Sequence, residues 1–160
     1  MRRDPLVIRI SDDGFLVVQP QVIATIRANV GGRDGFTEAG GILIGSYRGS
    51  HIEIVDCTVP KPKDVRRRTL FDRMDIGHQQ AAMKAWRTSG KTDSYVGEWH
   101  THPQDHPYHS SLDRRTWDGL MSKARKPLIF CIAGWQSTWW GVGHNGLREL
   151  SREGAGKPTR

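Results

Sequence analysis

The chain has 160 residues, 24 Lys and Arg against 17 Asp and Glu for a formal net charge of +7, and 36% hydrophobic residues. That length suits one domain with a single core, and the balance excludes a disordered or membrane-embedded chain. No apolar run approaches the roughly 20 residues of a spanning helix, and the opening MRRDPLVIRI holds too short an apolar stretch for a secretory signal, so the expected location is the cytoplasm.

Leu6 to Ile10 and Phe15 to Val18 are apolar, β-branched runs separated by Ser11-Asp12-Asp13-Gly14, which predicts two strands joined by a turn. Pro20 stands where a first helical turn tolerates proline, and Val22, Ile23, Ile26 and Val30 recur at helical spacing until Gly31-Gly32. Two more strands follow, Gly40 to Tyr47 and His51 to Val59, around Arg48-Gly49-Ser50. Pro60 to Thr69 is basic and proline-containing and reads as an exposed loop. Ile76, Met83 and Trp86 share one face of a second helix ending at Ser89-Gly90, which makes Trp86 an expected core residue.

Tyr95 to His100 reads as a strand leading into THPQDHPYHSS. Asp113, Trp117, Leu120, Met121 and Ala124 then mark a third helix, with Trp117 facing the core, and Pro127 breaks it. Leu128 to Ala133 and Thr138 to Val142 form a final hairpin. In it Trp139 and Trp140 must face opposite ways, so one of them is a candidate for exposure. One domain is expected over residues 1–150 and a flexible Gly-, Lys- and Pro-containing tail over 151–160. Cys57 and Cys131 each sit in a strand-like run, as small buried hydrophobes do, and with no CxxC pair or third cysteine neither a disulfide nor a thiolate zinc site is expected.

The chemistry concentrates in His100-Thr101-His102-Pro103 and Ser110-Ser111-Leu112-Asp113. Histidines at i and i+2 on a strand point the same way, so both imidazoles can approach one metal ion. Asp113, on the first turn of the next helix, can add an oxygen ligand. Two nitrogens and a carboxylate leave a fourth position open for water, the mark of catalytic rather than structural zinc. Read separately, a His-x-His pair is common, and Ser110-x-x-Asp113 could be a capping box alone. Glu38 lies upstream in a glycine-flanked strand, and Glu98 shares strand parity with His100, so either could serve as a base.

Together, Glu38-Ala39-Gly40-Gly41-Ile42-Leu43-Ile44-Gly45, His100-x-His102, seven intervening residues, Ser110 and Asp113 resemble the signature of the JAMM (JAB/MPN) metalloprotease family. The resemblance implies an α/β MPN fold, a curved mixed sheet flanked by about three helices in a cytidine-deaminase-like layout. It also implies Zn2+ held by His100, His102 and Asp113, with Glu38 as general base and Ser110 as hydrogen-bond donor to the developing oxyanion. Glu98 would then orient a ligand imidazole from behind. Many family members carry proline before the motif serine where this chain has His109, a departure that bears on loop rigidity. His106 and His109 are expected to be exposed loop residues.

Gly97-Glu98-Trp99-His100-Thr101-His102-Pro103 more loosely resembles the bacterial isopeptidases of CBASS antiphage operons. By that likeness the substrate is an amide between a flexible C-terminal tail, on a cyclic-oligonucleotide synthase or a ubiquitin-like protein, and a lysine. An E1-E2-like conjugating enzyme would be a partner, and Arg66, Arg67 and Arg68 are candidate substrate contacts. The alternatives are a JAMM protease trimming a small ubiquitin-like or sulfur-carrier protein, and a non-catalytic MPN scaffold. Charge alone suggests a nucleic-acid binder, but no binding motif accompanies it, so neither specific nucleic acid nor membrane is an expected partner. The H-x-E and P-C-x-x-C elements of a deaminase are missing.

Overall fold

Short apolar runs punctuated by turn residues fold into strands in the order expected, in a computed structural model that describes residues 3–154. The elements are β1 (Leu6–Arg9), β2 (Phe15–Val18), α1 (Pro20–Ala28), β3 (Gly40–Arg48), β4 (His51–Cys57), β5 (Val65–Arg67), β6 (Leu70–Asp72), α2 (Gly77–Thr88), β7 (Ser94–Thr101), α3 (Ser111–Lys123), β8 (Leu128–Ala133), β9 (Ser137–Gly143) and β10 (Leu147–Gly154). Eight strands make one mixed sheet in the order β1-β2-β4-β3-β7-β8-β9-β10, parallel at β2–β4 and β7–β8. A parallel neighbour requires a crossover. For β7 and β8 the crossover is α3, which carries the chain from the end of β7 back across the sheet. This mixed α/β architecture with three helices is the one expected, and no helix among the described residues is long and apolar enough to cross a membrane.

Both faces of the sheet are covered. On one, Val22 and Ile26 of α1 pack with Leu43, Trp99, Cys131 and Trp140. On the other, the Trp117 ring from α3 stacks on Phe130 with centroids 4.4 Å apart and on Trp139 at 5.7 Å. Each of the adjacent tryptophans Trp139 and Trp140 therefore has its own core, and both are 1% exposed, which corrects the expectation that one would face solvent. Alternation gave them opposite faces correctly; α3 covers the second. Cys57 and Cys131 are free thiols, the latter buried.

Three expectations need revision. The hairpin β8–β9 is not final, because β10 pairs with β9 and continues through Gly154, into the stretch expected as tail. Its signal is faint, since a bulge between Glu149 and Ser151 interrupts the alternation, and Leu147 and Leu150 join different cores. The rest of the expected tail, 155–160, lies outside the described residues. The basic loop contains a small sheet of its own, β5–β6. Finally, the apolar stripe of α2 does not face the core: Ile76, Met83 and Trp86 are 61%, 51% and 43% exposed, while His78 is buried and Ala81, Ala82 and Ala85 are half-buried. Helical spacing showed which side chains share a face; the helix docks through its small residues and one polar anchor instead.

That anchor is a buried polar chain. His78 Nδ1 lies 2.6 Å from Thr58 Oγ1 and Nε2 2.7 Å from Asp64 Oδ2, while Thr58 Oγ1 accepts from the Ile42 amide at 2.8 Å. The consistent assignment has the Thr58 hydroxyl donating to Nδ1 and Nε2–H donating to Asp64. Asp64 also accepts from the amides of Lys61 (2.8 Å) and Asp75 (3.0 Å), so one carboxylate gathers the whole segment between β4 and α2. Burial acts to raise the Asp64 pKa, but these donors outweigh it and hold it below the ordinary aspartate value. Replacing Asp64 with Ala should cost about 2–4 kcal/mol of unfolding free energy in denaturant titrations near neutral pH. A carboxylate with a depressed folded-state pKa stabilises above its unfolded value. The gap between wild type and variant should therefore shrink as pH falls below about 4.

Candidate functional site

The two histidines leave the sheet at the carboxyl end of β7. Gly97 makes this possible: it sits in a bulge against β3 with φ +153, and a Cβ there would lie 1.8 Å from Ile129 O. Beyond the bulge, Glu98 and His100 face α3 while Trp99 enters the opposite core, as strand parity predicts. Thr101, between the histidines, fastens the strand to the segment after Glu38. Its amide donates to Ala39 O and its Oγ1 accepts from the Ala39 amide, both at 2.9 Å. With Gly40 paired to His100, Glu38 is brought alongside the imidazoles from more than sixty residues upstream. The Glu38 backbone is held from its other side by β5, its amide donating to Arg67 O at 2.7 Å and its carbonyl accepting from Arg66 Nε at 2.8 Å.

The start of α3 completes the cluster. Ser110 is the N-cap, its Oγ accepting from the Asp113 amide at 3.0 Å, and Asp113 Oδ2 accepts from the Ser110 amide at 2.8 Å. The capping box and the ligand candidate thus coincide, because this reciprocal bond aims the Asp113 carboxylate at the histidines. Asp113 Oδ1 is 3.3 Å from His100 Nε2, and Oδ2 is 3.1 Å from His102 Nε2. The two Nε2 atoms are 3.0 Å apart, and Glu38 Oε1 is 3.7 Å from that of His102. Glu38, His100 and His102 are buried, with donor atoms within 4.8 Å of one another.

The electrostatics follow from crowding carboxylates and imidazoles out of water. Burial pushes the Glu38 carboxyl up to about 7, against the pull of His102 and Arg73 and with the help of Asp113. For Asp113, burial also acts upward, but hydrogen bonds from His100 and His102 prevail and hold it far below the usual carboxylate range. Burial lowers His100 despite Asp113. At His102 the burial effect is outweighed by Asp113 and Glu38, and the net direction is up.

These residues fit a divalent cation. Four N and O donors at bonds of about 2.0–2.1 Å around a tetrahedral ion stand roughly 3.3 Å apart, which is the spacing seen among His100, His102 and Asp113. Glu98 lies outside this cluster. Its Oε1 accepts from Trp117 Nε1 at 3.2 Å and lies 3.3 Å from Arg73 Nη1, behind His100, whose ring rests 6.0 Å from that of Trp117. Arg73 also donates to Gly41 O (2.8 Å) and Trp99 O (2.5 Å), clamping β3 to β7 under the site. Arg66, Arg67 and Arg68 are all exposed, and Arg66 Nε also donates to the Glu38 carbonyl. His106 is exposed, with Nδ1 2.9 Å from Ser137 Oγ. His109 is half-buried rather than exposed, edge-on to Trp117 and Trp139 at 5.8 and 5.6 Å, so an aromatic contact braces this loop.

Sequence reasoning missed Arg73, Thr101 and Gln104. Arg73 carried no signal, being one arginine at the end of a basic stretch whose partners are distant carbonyls. Gln104, two residues after His102, lay within reach of the imidazole and could have been noticed as a candidate second-layer partner.

The model for prokaryotic homologs of the JAB domain matches residues 22–145. A protein of Pseudomonas aeruginosa (strain BWHPSA011 / Pa011) named CD-NTase/cGAS isopeptidase is 44% identical over 114 residues, 70% of this chain and 72% of that protein. An Escherichia coli (strain TW11681) protein of the same name is 35% identical over 155 residues, 96% of this chain and 98% of its own. In fold alone, the chain resembles the solution structure of protein DSY2949 from Desulfitobacterium hafniense, at a TM-score of 0.55 and 19% identity over 82% of this chain and 87% of that one. With a family match across most of its length and relatives 44% and 35% identical, the chain belongs to the prokaryotic JAB-domain family.

Proposed function

We propose that this protein is a zinc-dependent isopeptidase that cleaves the amide between the C-terminal tail of a conjugated protein and a lysine amine. The observation that carries the reading is the convergence of His100, His102 and Asp113 on one point beside the buried Glu38. His100, His102 and Asp113 would hold the ion, which when bound supplies Lewis acidity and lowers the pKa of water at its open position. Glu38, raised to about 7, accepts a proton from the attacking water near neutral pH and delivers it to the departing nitrogen as the C–N bond breaks. Ser110 Oγ accepts from the Asp113 amide, so its own proton remains to be donated to the oxyanion. A non-catalytic scaffold has no use for this intact donor set and base.

The substrate side is read from the relatives' names and the groove. Both relatives are named for CD-NTase/cGAS, which supports a cyclic-oligonucleotide synthase as the conjugated protein. Its attachment by an E1-E2-like enzyme and its release in regulating antiviral defence belong to the same proposal. A cavity of about 260 Å3 opens beside Glu38, His100 and Asp113, walled by Leu70, Phe71 and Leu112. The β5–β6 sheet has two strands, and β6 borders the cavity, so an extended tail can add there as a further strand. The exposed Arg67 and Arg68 at the hairpin turn would meet acidic groups on that substrate.

The test is a synthetic isopeptide joining a synthase C-terminal tail to the ε-amine of a lysine peptide. Zn2+-loaded protein should release the tail with a free carboxylate, seen by mass spectrometry; chelator should stop the reaction and added Zn2+ restore it. An intact isopeptide after prolonged incubation with fully loaded protein would sink the proposal, and cleavage of only a linear ubiquitin-like or sulfur-carrier precursor would move the assignment to carrier processing.

A further inference from the structure

We infer that the side-chain amide of Gln104 is a positioning group that holds His102 as the Nδ1–H tautomer, so that its Nε2 lone pair faces the donor cluster; this rests on the metal-centre reading above. Gln104 Oε1 lies 3.2 Å from His102 Nδ1 and 3.2 Å from the backbone nitrogen of Tyr108. A backbone N–H can only donate, so the Gln104 atom facing Tyr108 is its carbonyl oxygen and not the NH2 of a flipped amide. That oxygen offers only lone pairs, so the ring nitrogen beside it must bring the proton. A metal-binding imidazole must be neutral and so has one N–H; a proton held on Nδ1 leaves Nε2, which is 3.0 Å from His100 Nε2 and 3.1 Å from Asp113 Oδ2, free to coordinate.

The alternative tautomer has a real attraction, which is why an orienting group matters. The Asp113 carboxylate can only accept, and without a cation it favours a proton on Nε2, where that proton blocks coordination. Gln104 supplies the competing acceptor on the far side of the ring. Its mounting is rigid: the Trp135 amide donates to Gln104 O at 2.9 Å, and Gly134 packs so close that a Cβ would stand 2.4 Å from the same oxygen. The loop after His102 is thus braced on the β8–β9 turn.

The test uses isotope-labelled protein with Zn2+ alone as probe. Zn2+-bound wild type should show a protected His102 Nδ1–H proton in long-range proton–nitrogen spectra. Gln104→Met, similar in length but without the acceptor, should lose that protection and bind Zn2+ about 10–100-fold more weakly in chelator competition. Gln104→Glu keeps an acceptor and should restore both, which a general loosening of the loop would not do. Should Gln104→Met fail to fold, Gln104→Asn withdraws the acceptor by one methylene and is expected to show the same losses. Wild-type affinity and an unchanged Nδ1–H signal in the Met or Asn variant, or no recovery in Gln104→Glu, overturns the inference alone. A wild type that takes up no Zn2+ removes the metal centre and this role with it.

Discussion

Replacing His102 with alanine is expected to strip the protein of its divalent cation at micromolar concentrations and to lower isopeptide turnover by at least about 10^3-fold, some 4 kcal/mol of transition-state stabilisation. Only His100 and Asp113 would remain as donors, and two ligands on one side of an ion leave it easily displaced by water. His102 is a cleaner target than Asp113, whose carboxylate also closes the capping box of α3, so that Asp113→Ala would forfeit about 1 kcal/mol of helix stability along with the ligand. Metal content after gel filtration, read beside kcat and KM, decides the matter; normal turnover by a metal-free His102→Ala protein would refute the assignment of this centre.

Glu38→Gln should separate binding from chemistry. Glutamine has nearly the same shape, and the bonds that place this residue, from its amide to Arg67 O and to its carbonyl from Arg66 Nε, belong to the backbone and survive the change. Zn2+ affinity is therefore expected to stay near wild type while kcat falls about 10^2–10^4-fold, the usual worth of a positioned base. Because burial places the Glu38 carboxyl at about 7 and a bound cation would pull it downward, kcat/KM in the wild type should rise with pH as Glu38 ionises, with a midpoint at or below about 7. Glu98→Gln should act differently, weakening the contacts to Arg73 and Trp117 and so lowering stability more than the chemical step. If Glu98→Gln silenced turnover and Glu38→Gln did not, the base would have to be reassigned.

One local rule and a resemblance made the chemistry legible before any fold was known. Residues at i and i+2 on a strand share a side, which offers His100 and His102 to one ion. Ser110 and Asp113, a capping box when read alone, were joined to that pair by their match to the JAMM signature, and the structure shows both the box and the approach to the histidines. The order of the three helices and of β1–β4 and β7–β9 was legible from local pattern too, since apolar period and turn residues are short-range properties, whereas β5, β6 and β10 were not expected. What failed concerned which surfaces are covered: Trp117 and Cys131 are buried as expected, but other faces depart from expectation. Trp140 and Trp139 were known to face apart, yet only the packing of α1 and α3 on opposite sides buries both; Ile76, Met83 and Trp86 were known to align, yet nothing in their spacing shows that α2 docks through His78 and its alanines.

The choice between Glu38 and Glu98 is of that second kind. Strand parity alone admitted Glu98, and the family resemblance favoured Glu38. The pairing of β3 with β7 sets Glu38 against the imidazoles, while Arg73, reaching over from the end of β6, engages Glu98. Sequence by itself determined which side chains could act and in what local arrangement, because backbone geometry repeats every two residues in a strand and every 3.6 in a helix. Which of them meet was decided by tertiary structure, because contacts between residues sixty positions apart depend on how sheets pair and helices cross, and no local period encodes that.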